Sequence, residues 1–344
     1  MISPLLSPLL IPFIVALFLA INMGGSGTGP SFSVAYGCNL IKHKYIPGLF
    51  GLMVFAGAII AGRETANTVG NELIDPSYMT LVLTTIILIS VALALLVANL
   101  AGIPQSTSQA TIFAVAAPSL CYGSLNTHKL FVEIVPTWLV LPVISLLLSY
   151  LAGRFIYMPL RRRGYTISKK FNSNPVVLSL IVLMSLYVAF SIGANNVANA
   201  AGPIASMTAN ELGVTGDDGM LLIVIISVLV VAPGFGIGSS LFGHKVVRNT
   251  GKEIVLFGRI EAVIIAFISA TLLLLASVIR GIPSSLVQLN VAAILGIGVA
   301  KLGFRNIFRK TEVNRFFAMW IISPLIAFVL ALALTLIALR TGLV

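Results

Sequence analysis

Charge is what this chain has least of. Only 9% of its 344 residues are Asp, Glu, Lys or Arg, against roughly 25% in an ordinary soluble domain. A surface that poor in charge cannot be solvated all round. Histidine is nearly as scarce: His43, His128 and His244 are far apart and fall mostly between apolar runs. A catalytic nucleophile needs a base beside it, and a catalytic metal needs clustered ligands, so an enzyme is not expected and no metal site is assigned. The two cysteines, Cys38 and Cys121, each adjoin apolar sequence and suggest neither a disulfide framework nor a metal site,.

What the chain does have is hydrophobic length. Apolar residues make up 58% of it and its mean hydropathy is +1.07. Apolar runs recur from Leu5–Ala20 through Met79–Ala101 and Ile254–Ile279 to Phe316–Leu339, several of them approaching the roughly 20 residues that cross a bilayer as helix,. The chain therefore reads as an all-α, polytopic membrane protein. The first run is not expected to be a cleaved signal, since no Lys or Arg precedes it and no clean small-x-small pattern follows,.

The net charge of +11 invites a nucleic-acid reading, but there is no soluble basic face to carry one. With the N-terminus outside and five crossings per half, 17 of the 21 Lys and Arg fall in segments on the inner side, within 42–44, 154–170, 245–259 and 301–315. The proposed outer loops NELIDPS and TGDDG are acidic. This is the positive-inside distribution, so the charge orients the protein in a membrane, expected to be the plasma membrane.

The chain also repeats itself. GIPQSTSQ (102–109) is echoed by GIPSSLVQ (281–288), and GRETANTVGNE (62–72) by GHKVVRNTGKE (243–253), at offsets of 179 and 181. NMGGSGTGPS (22–31) stands where SIGANNVANA (191–200) stands in the second half, at an offset of 169. The expected division is a membrane repeat over 1–153, a basic cytoplasmic linker over 154–174 and a second membrane repeat over 175–344. Five crossings per half turn the second copy upside down, an architecture that recurs in secondary transporters and places the substrate at the repeat interface near the midplane.

Polar, helix-weakening residues in the middle of apolar runs then have a reason. Irregular backbone within a bilayer is tolerated only where it is buried in protein or lines a cavity. Breaks are expected at GGSGTGPS and at GANNVANA, with helices restarting at Pro104 and Pro283, where proline suits a first turn. Free N–H groups and the dipole at such half-helix starts attract anions. The expected ligands are Ser26, Gly27 and Thr28, then Ser106, Thr107 and Ser108, Asn195 and Asn196, and Ser284 and Ser285. For Gly24–Gly29, close helix packing and substrate approach are both open. Intramembrane carboxylates are candidates to carry a coupling proton. Glu261, Glu72 and Glu253 are those candidates; Glu261 equally suits a salt bridge at the inner surface, and the other two equally suit helix ends.

These motifs resemble the inorganic phosphate transporter (PiT) family, whose halves each carry a GANDVANA-like motif and, later, a G-x-P-x-S-T-T-H-like one. GANNVANA (193–200) differs from the first by one residue, and the resemblance runs from about Asn22 to Lys310. It implies an all-helical inverted-repeat fold that imports an inorganic anion by cation symport. The departures are informative. The family's motif aspartates, associated with sodium coupling, are replaced by Asn196 and, on ungapped alignment, by Gly27; its histidines are replaced by Gln109 and Gln288. Loss of the aspartates fits the family's bacterial sulfate permeases. Physics leans the same way: sulfate at neutral pH carries no proton and needs donors alone, whereas phosphate profits from an acceptor, although Ser, Thr and Asn oxygens also accept. Sulfate with proton symport is therefore expected, sodium being disfavoured as the coupling ion. A phosphate symporter and, in another class, an anion channel are the alternatives. The expected partners are the oxyanion, the lipid bilayer and, as a candidate, a second copy of the chain; no cofactor is called for.

Overall fold

The computed structural model describes residues 6–101, 105–165, 168, 173–214, 216–249 and 258–344. Its first half comprises α1 (Leu6–Gly37), α2 (Ile46–Ala61), α3 (Arg63–Asn67) continued by a π-turn at Thr68–Glu72, α4 (Leu81–Ala101), α5 (Thr107–Cys121), α6 (Val135–Ala152) flanked by π-turns, and α7 (Met158–Arg162). The second half comprises α8 (Pro175–Asn196), α9 (Ala198–Leu212), α10 (Asp217–Asn249), α11 (Arg259–Arg280), α12 (Leu286–Leu302), α13 (Phe304–Phe308) and α14 (Thr311–Thr341).

Sequence chemistry accounts for the regular stretches. α4 holds 21 residues with no Gly, Pro or charge among them, so nothing interrupts its hydrogen-bond ladder. Among the described residues, eight helical stretches are long and apolar enough to cross a membrane. α5 and α12 are shorter, at 15 and 17 residues. At about 1.5 Å per residue each falls short of a hydrocarbon core of about 30 Å. Both are half-helices, and both begin in the interior: Ser106 and Ser285, their N-caps, are buried. Large apolar side chains such as Leu52, Ile60, Val97, Leu139 and Phe155 are exposed around the perimeter, as a lipid-facing surface requires.

The two halves exchange partners. α1 packs on α10 of the second half, and α8 packs on α2 of the first; α5 packs on α14, and α12 on α6. Glycines make the closest crossings. A Cβ on Gly24 would collide with the Phe235 carbonyl, and one on Gly238 with the Ile21 carbonyl. At the matching crossing, Gly193 meets the Val54 carbonyl and Gly57 the Phe190 carbonyl. Gly193 and Phe190 lie 169 residues after Gly24 and Ile21, while Phe235 and Gly238 lie 181 after Val54 and Gly57. Those are the offsets of the sequence matches, so the same small-residue notch is used twice with the roles of the halves reversed, as a two-fold relation between repeats requires.

One expected break does not occur. α1 runs unbroken from Leu6 to Gly37, straight through GGSGTGPS. The hydroxyls there return to their own backbone: Ser26 Oγ to the Met23 carbonyl (3.0 Å), Thr28 Oγ1 to Gly24 (2.7 Å) and Ser31 Oγ to Gly27 (2.9 Å). The glycines admit neighbouring helices rather than a change of direction. At GANNVANA the interruption is one residue, Val197, which keeps right-handed helical angles. Pro283 also stands outside the helix it precedes, two residues before the Ser285 N-cap, because serine's hydroxyl can accept a first-turn N–H and proline's ring cannot,. Pro104 and Glu253 lie outside the described residues.

Candidate functional site

The segment 281–285 crosses the interior without helical structure between α11 and α12, so each of its peptide groups needs a partner away from water,. Gly281 closes α11 with φ +60°, its N–H and that of Ile282 reaching the Ser277 and Ala276 carbonyls. Only glycine fits here, since a Cβ would sit 2.8 Å from the Glu64 carbonyl oxygen,. The Pro283 carbonyl accepts from Trp138 Nε1 (2.8 Å), which pins the segment to α6. Ser284 is held by Asn195. With the amide turned so that neither end meets a like atom, Asn195 Oδ1 accepts from Ser284 N (3.1 Å) and Nδ2 donates to Ser284 O (2.8 Å),. The same amide lies 2.8 Å from Ser277 Oγ and 3.1 Å from Ser108 Oγ.

Asn195 thus joins α8 to the first turn of α5 and to the chain entering α12. Asn199, one turn on, donates from Nδ2 to Ser108 Oγ (3.2 Å), while its Oδ1 is fully buried with no partner. Asn196 is buried between them in sequence and forms part of the same polar cluster. These residues answer why an apolar run should carry three asparagines: side-chain amides replace the hydrogen bonds that a broken neighbouring helix has lost.

The two half-helix starts are built alike. Ser106 Oγ accepts from Gln109 N (3.2 Å) and Ser285 Oγ from Gln288 N (3.3 Å). Each serine keeps its own proton to donate. The first-turn N–H groups of both helices lack intrahelical partners, as at any helix start, and carry the positive end of the dipole. Beyond the caps the halves differ. α5 continues with Thr107 and Ser108, α12 with Leu286 and Val287, so the hydroxyls cluster on the α5–α8 side. Gln109 and Gln288 reach each other, Nε2 of Gln109 donating to Gln288 Oε1 (3.3 Å) and Nε2 of Gln288 to Gln109 Oε1 (2.8 Å). The sequence reading registered these glutamines as replacements for histidine and missed them as a pair. Ser-x-x-Gln, the capping-box spacing, occurs at both starts and was the available signal.

The structure brings together Ser106, Thr107, Ser108, Asn195, Ser284 and Ser285, and sets Asn196 beside them. Ser26, Gly27 and Thr28 are different. The two hydroxyls serve α1 itself, and a Cβ on Gly27 would lie 3.0 Å from the Phe50 ring and 3.4 Å from Ile192. A side chain at this position would press on the Phe50 ring in an apolar contact.

The carboxylates named as coupling candidates lie elsewhere. Glu261 is buried near the start of α11 and pairs with Lys301 at 3.0 Å, whose ammonium also sits 5.1 Å from the centre of the Tyr157 ring. A small cavity of about 30 Å³ is lined by Ser31, Ser185, Ala262, Val263 and Asn290, and Glu261 is not among its lining residues. Glu72 ends the π-turn after α3, pairs with Lys129 (2.8 Å) and accepts from Asn67 (2.8 Å) and Thr68 (2.9 Å). Among the described residues no group of three or more His, Cys, Asp or Glu could hold a metal.

A helical membrane protein whose halves trade packing partners around two buried half-helix starts is a transporter in architecture. Comparison with known proteins agrees. The model of the phosphate transporter family matches residues 23–180 and 165–331, and the chain belongs to that family. It is 34% identical to the sulfate permease CysP of Bacillus subtilis, over 90% of this chain and 82% of that protein. It is 25% identical to a protein of Pyrococcus furiosus named as a candidate phosphate permease, over 82% of this chain and 85% of the relative. A solved sodium-dependent phosphate transporter shares the fold, with a TM-score of 0.78 and 21% identity, over 97% of this chain and 99% of that one. The chain is a multi-pass membrane transporter of inorganic anions and not an enzyme.

Proposed function

We propose that the protein imports sulfate across the plasma membrane by proton symport through alternating access, with its basic linker (154–174) on the cytoplasmic side. The observation that carries the substrate is the chemistry of the half-helix starts. Ser106, Thr107 and Ser285 hydroxyls, unpaired first-turn N–H groups and the Asn196 amide offer donors, and among the described residues gathered there none is a carboxylate. A dianion that carries no proton at neutral pH suits such a set. The 34% identity to a protein named a sulfate permease supports the same reading.

Coupling follows from energetics. A dianion moving inward against an inside-negative potential costs about 2.3 kcal/mol per charge per 100 mV, so accumulation needs at least two cotransported cations to cancel its charge. Gly27 and Asn196 stand where the family resemblance places sodium-coupling aspartates, and the surroundings of Gly27 are the apolar Phe50 and Ile192 side chains. Glu261, a buried carboxylate near the start of α11, is the proposed proton carrier. Protonating it weakens its pairing with Lys301, which ties proton binding to the contact between α11 and α12,.

One observation favours phosphate as a second reading: the unpartnered, buried Asn199 Oδ1 is an acceptor that could take the hydrogen of a protonated oxyanion. Labelled uptake into sodium-free liposomes separates the two. An acid-outside gradient should drive sulfate accumulation, a protonophore should collapse it, and tenfold excess phosphate should compete poorly. Sodium dependence with indifference to the pH gradient overturns proton coupling, and strong competition by phosphate overturns the substrate.

A further inference from the structure

We infer that Gln109 and Gln288 form a clasp across the two repeats that sets the gap between the half-helix starts, and with it the size of oxyanion that fits. The inference rests on the reading that the anion sits between those starts.

In a complete capping box the serine at the N-cap accepts from the N–H three residues on, and the Gln side chain there reaches back to the N-cap N–H. Both helices make the first bond, at Ser106 and Ser285. In both, the second is given up, and the two amides exchange hydrogen bonds with each other, at 3.3 and 2.8 Å. The pair is buried, with Gln109 7% and Gln288 4% exposed. It occupies matching positions, 179 residues apart, as the two N-caps do.

The bodies of α5 and α12 are packed by other helices, and the pair acts on how far apart their first turns stand. α5 rests on α4 and α14, and α12 on α6 and α11. Ser145 Oγ adds a bond to the Leu289 carbonyl (2.8 Å), and the Trp138–Pro283 bond holds the entry to α12. Two helix starts that approach each other bring together two partial positive charges. A neutral amide pair opposes their separation without adding charge, and an anion placed between them does the same. Clasp and anion therefore act on one gap. Because an amide does not titrate, the width so set is constant across the physiological pH range, which a histidine in either position would not ensure.

The test is uptake of labelled sulfate by reconstituted protein, with molybdate, a larger tetrahedral dianion, as inhibitor. Gln109→Asn, Gln288→Asn and the double variant each withdraw an amide by one methylene, out of reach of its partner, and so open the clasp. Each single variant should raise the KM for sulfate about 2- to 10-fold, the loss of one hydrogen-bonded unit. The double variant should be no worse than either single one, because the unit is lost once. The ratio of the molybdate inhibition constant to the sulfate KM should fall in all three. Additive losses, or an unchanged ratio, overturn the inference, since a merely structural role weakens both anions alike. If an Asn variant does not fold, Gln109→Met and Gln288→Met keep the length and remove the hydrogen bonds, and the KM and additivity readings then decide. If wild-type protein moves phosphate and not sulfate, the substrate proposal fails, and the clasp is still read from arsenate against phosphate.

Discussion

Asn195 grips the peptide of Ser284 with both atoms of its side-chain amide, one accepting from the N–H and the other donating to the carbonyl. The grip lets the chain between α11 and α12 lie outside any helix in the interior with partners for the Ser284 peptide groups. Asn195→Ala should leave both groups unpaired at about 1–3 kcal/mol each, enough to lower thermal stability in detergent and abolish uptake together. Asn195→Asp keeps the acceptor but faces the Ser284 carbonyl with oxygen, and should be no better. A stable, active Asn195→Ala protein would show that the grip is dispensable.

The glycine notches should discriminate sharply between positions. Gly193→Ala and Gly24→Ala push a methyl group into the Val54 and Phe235 carbonyls, and both should reduce the yield of folded protein severely. Gly48, also helical, has nothing within 4 Å of an added Cβ. Gly48→Ala should be neutral or stabilising by about 0.5–1 kcal/mol, through the lost flexibility of the unfolded chain. Melting temperature by fluorescence in detergent checks all three.

Restoring an acid at Asn196 should change what the protein carries. Asn196→Asp sets a negative charge beside donors aimed at a dianion, and should raise the KM for sulfate at least about tenfold at neutral pH. The same acceptor helps a protonated oxyanion, so inhibition of residual uptake by phosphate should strengthen. Unchanged sulfate kinetics in this variant would place Asn196 away from the anion.

Glu261 and Lys301 allow a test of coupling separate from substrate binding. Glu261→Gln alone removes the carboxylate that pairs with Lys301, and breaking a buried pair costs about 3–5 kcal/mol,. Replacing the whole pair, as Glu261→Gln with Lys301→Met, should restore stability. That double variant should still exchange sulfate for sulfate across liposomes, yet should not accumulate it when the outside is acidified. Full pH-driven accumulation would exclude Glu261 as the proton carrier.

Much of this was visible in the residues themselves. Hydrophobic length declares the membrane, and Ser106 and Ser285, recurring at one offset after similar Gly-Ile-Pro triplets, declare the half-helix starts. GGSGTGPS misled because its local propensity is weak while its tertiary role is strong. Gly24 and Gly25 allow α10 to come close, and the packing gained keeps α1 helical where propensity alone would let it break,. The Gln109–Gln288 pair depends on how two segments 179 residues apart meet, which no local pattern specifies. The place of Glu261 in an apolar run admits both a proton carrier and a salt bridge, but that its partner is Lys301, forty residues on, emerges only once α11 and α12 are packed.

The exchanged packing has a bearing on how the protein is made. When the first repeat leaves the ribosome, the notch around Gly24 has no occupant, because Phe235 and Gly238 lie in the second repeat, more than two hundred residues after Gly24 in the chain. α2 waits in the same way for Gly193 of α8. The first repeat therefore enters the bilayer as a loose set of helices with polar and small-residue faces turned to lipid, and it consolidates only on arrival of the second. A gene cut at the basic linker should yield two fragments that are each short-lived alone and that rescue one another when produced in the same cell.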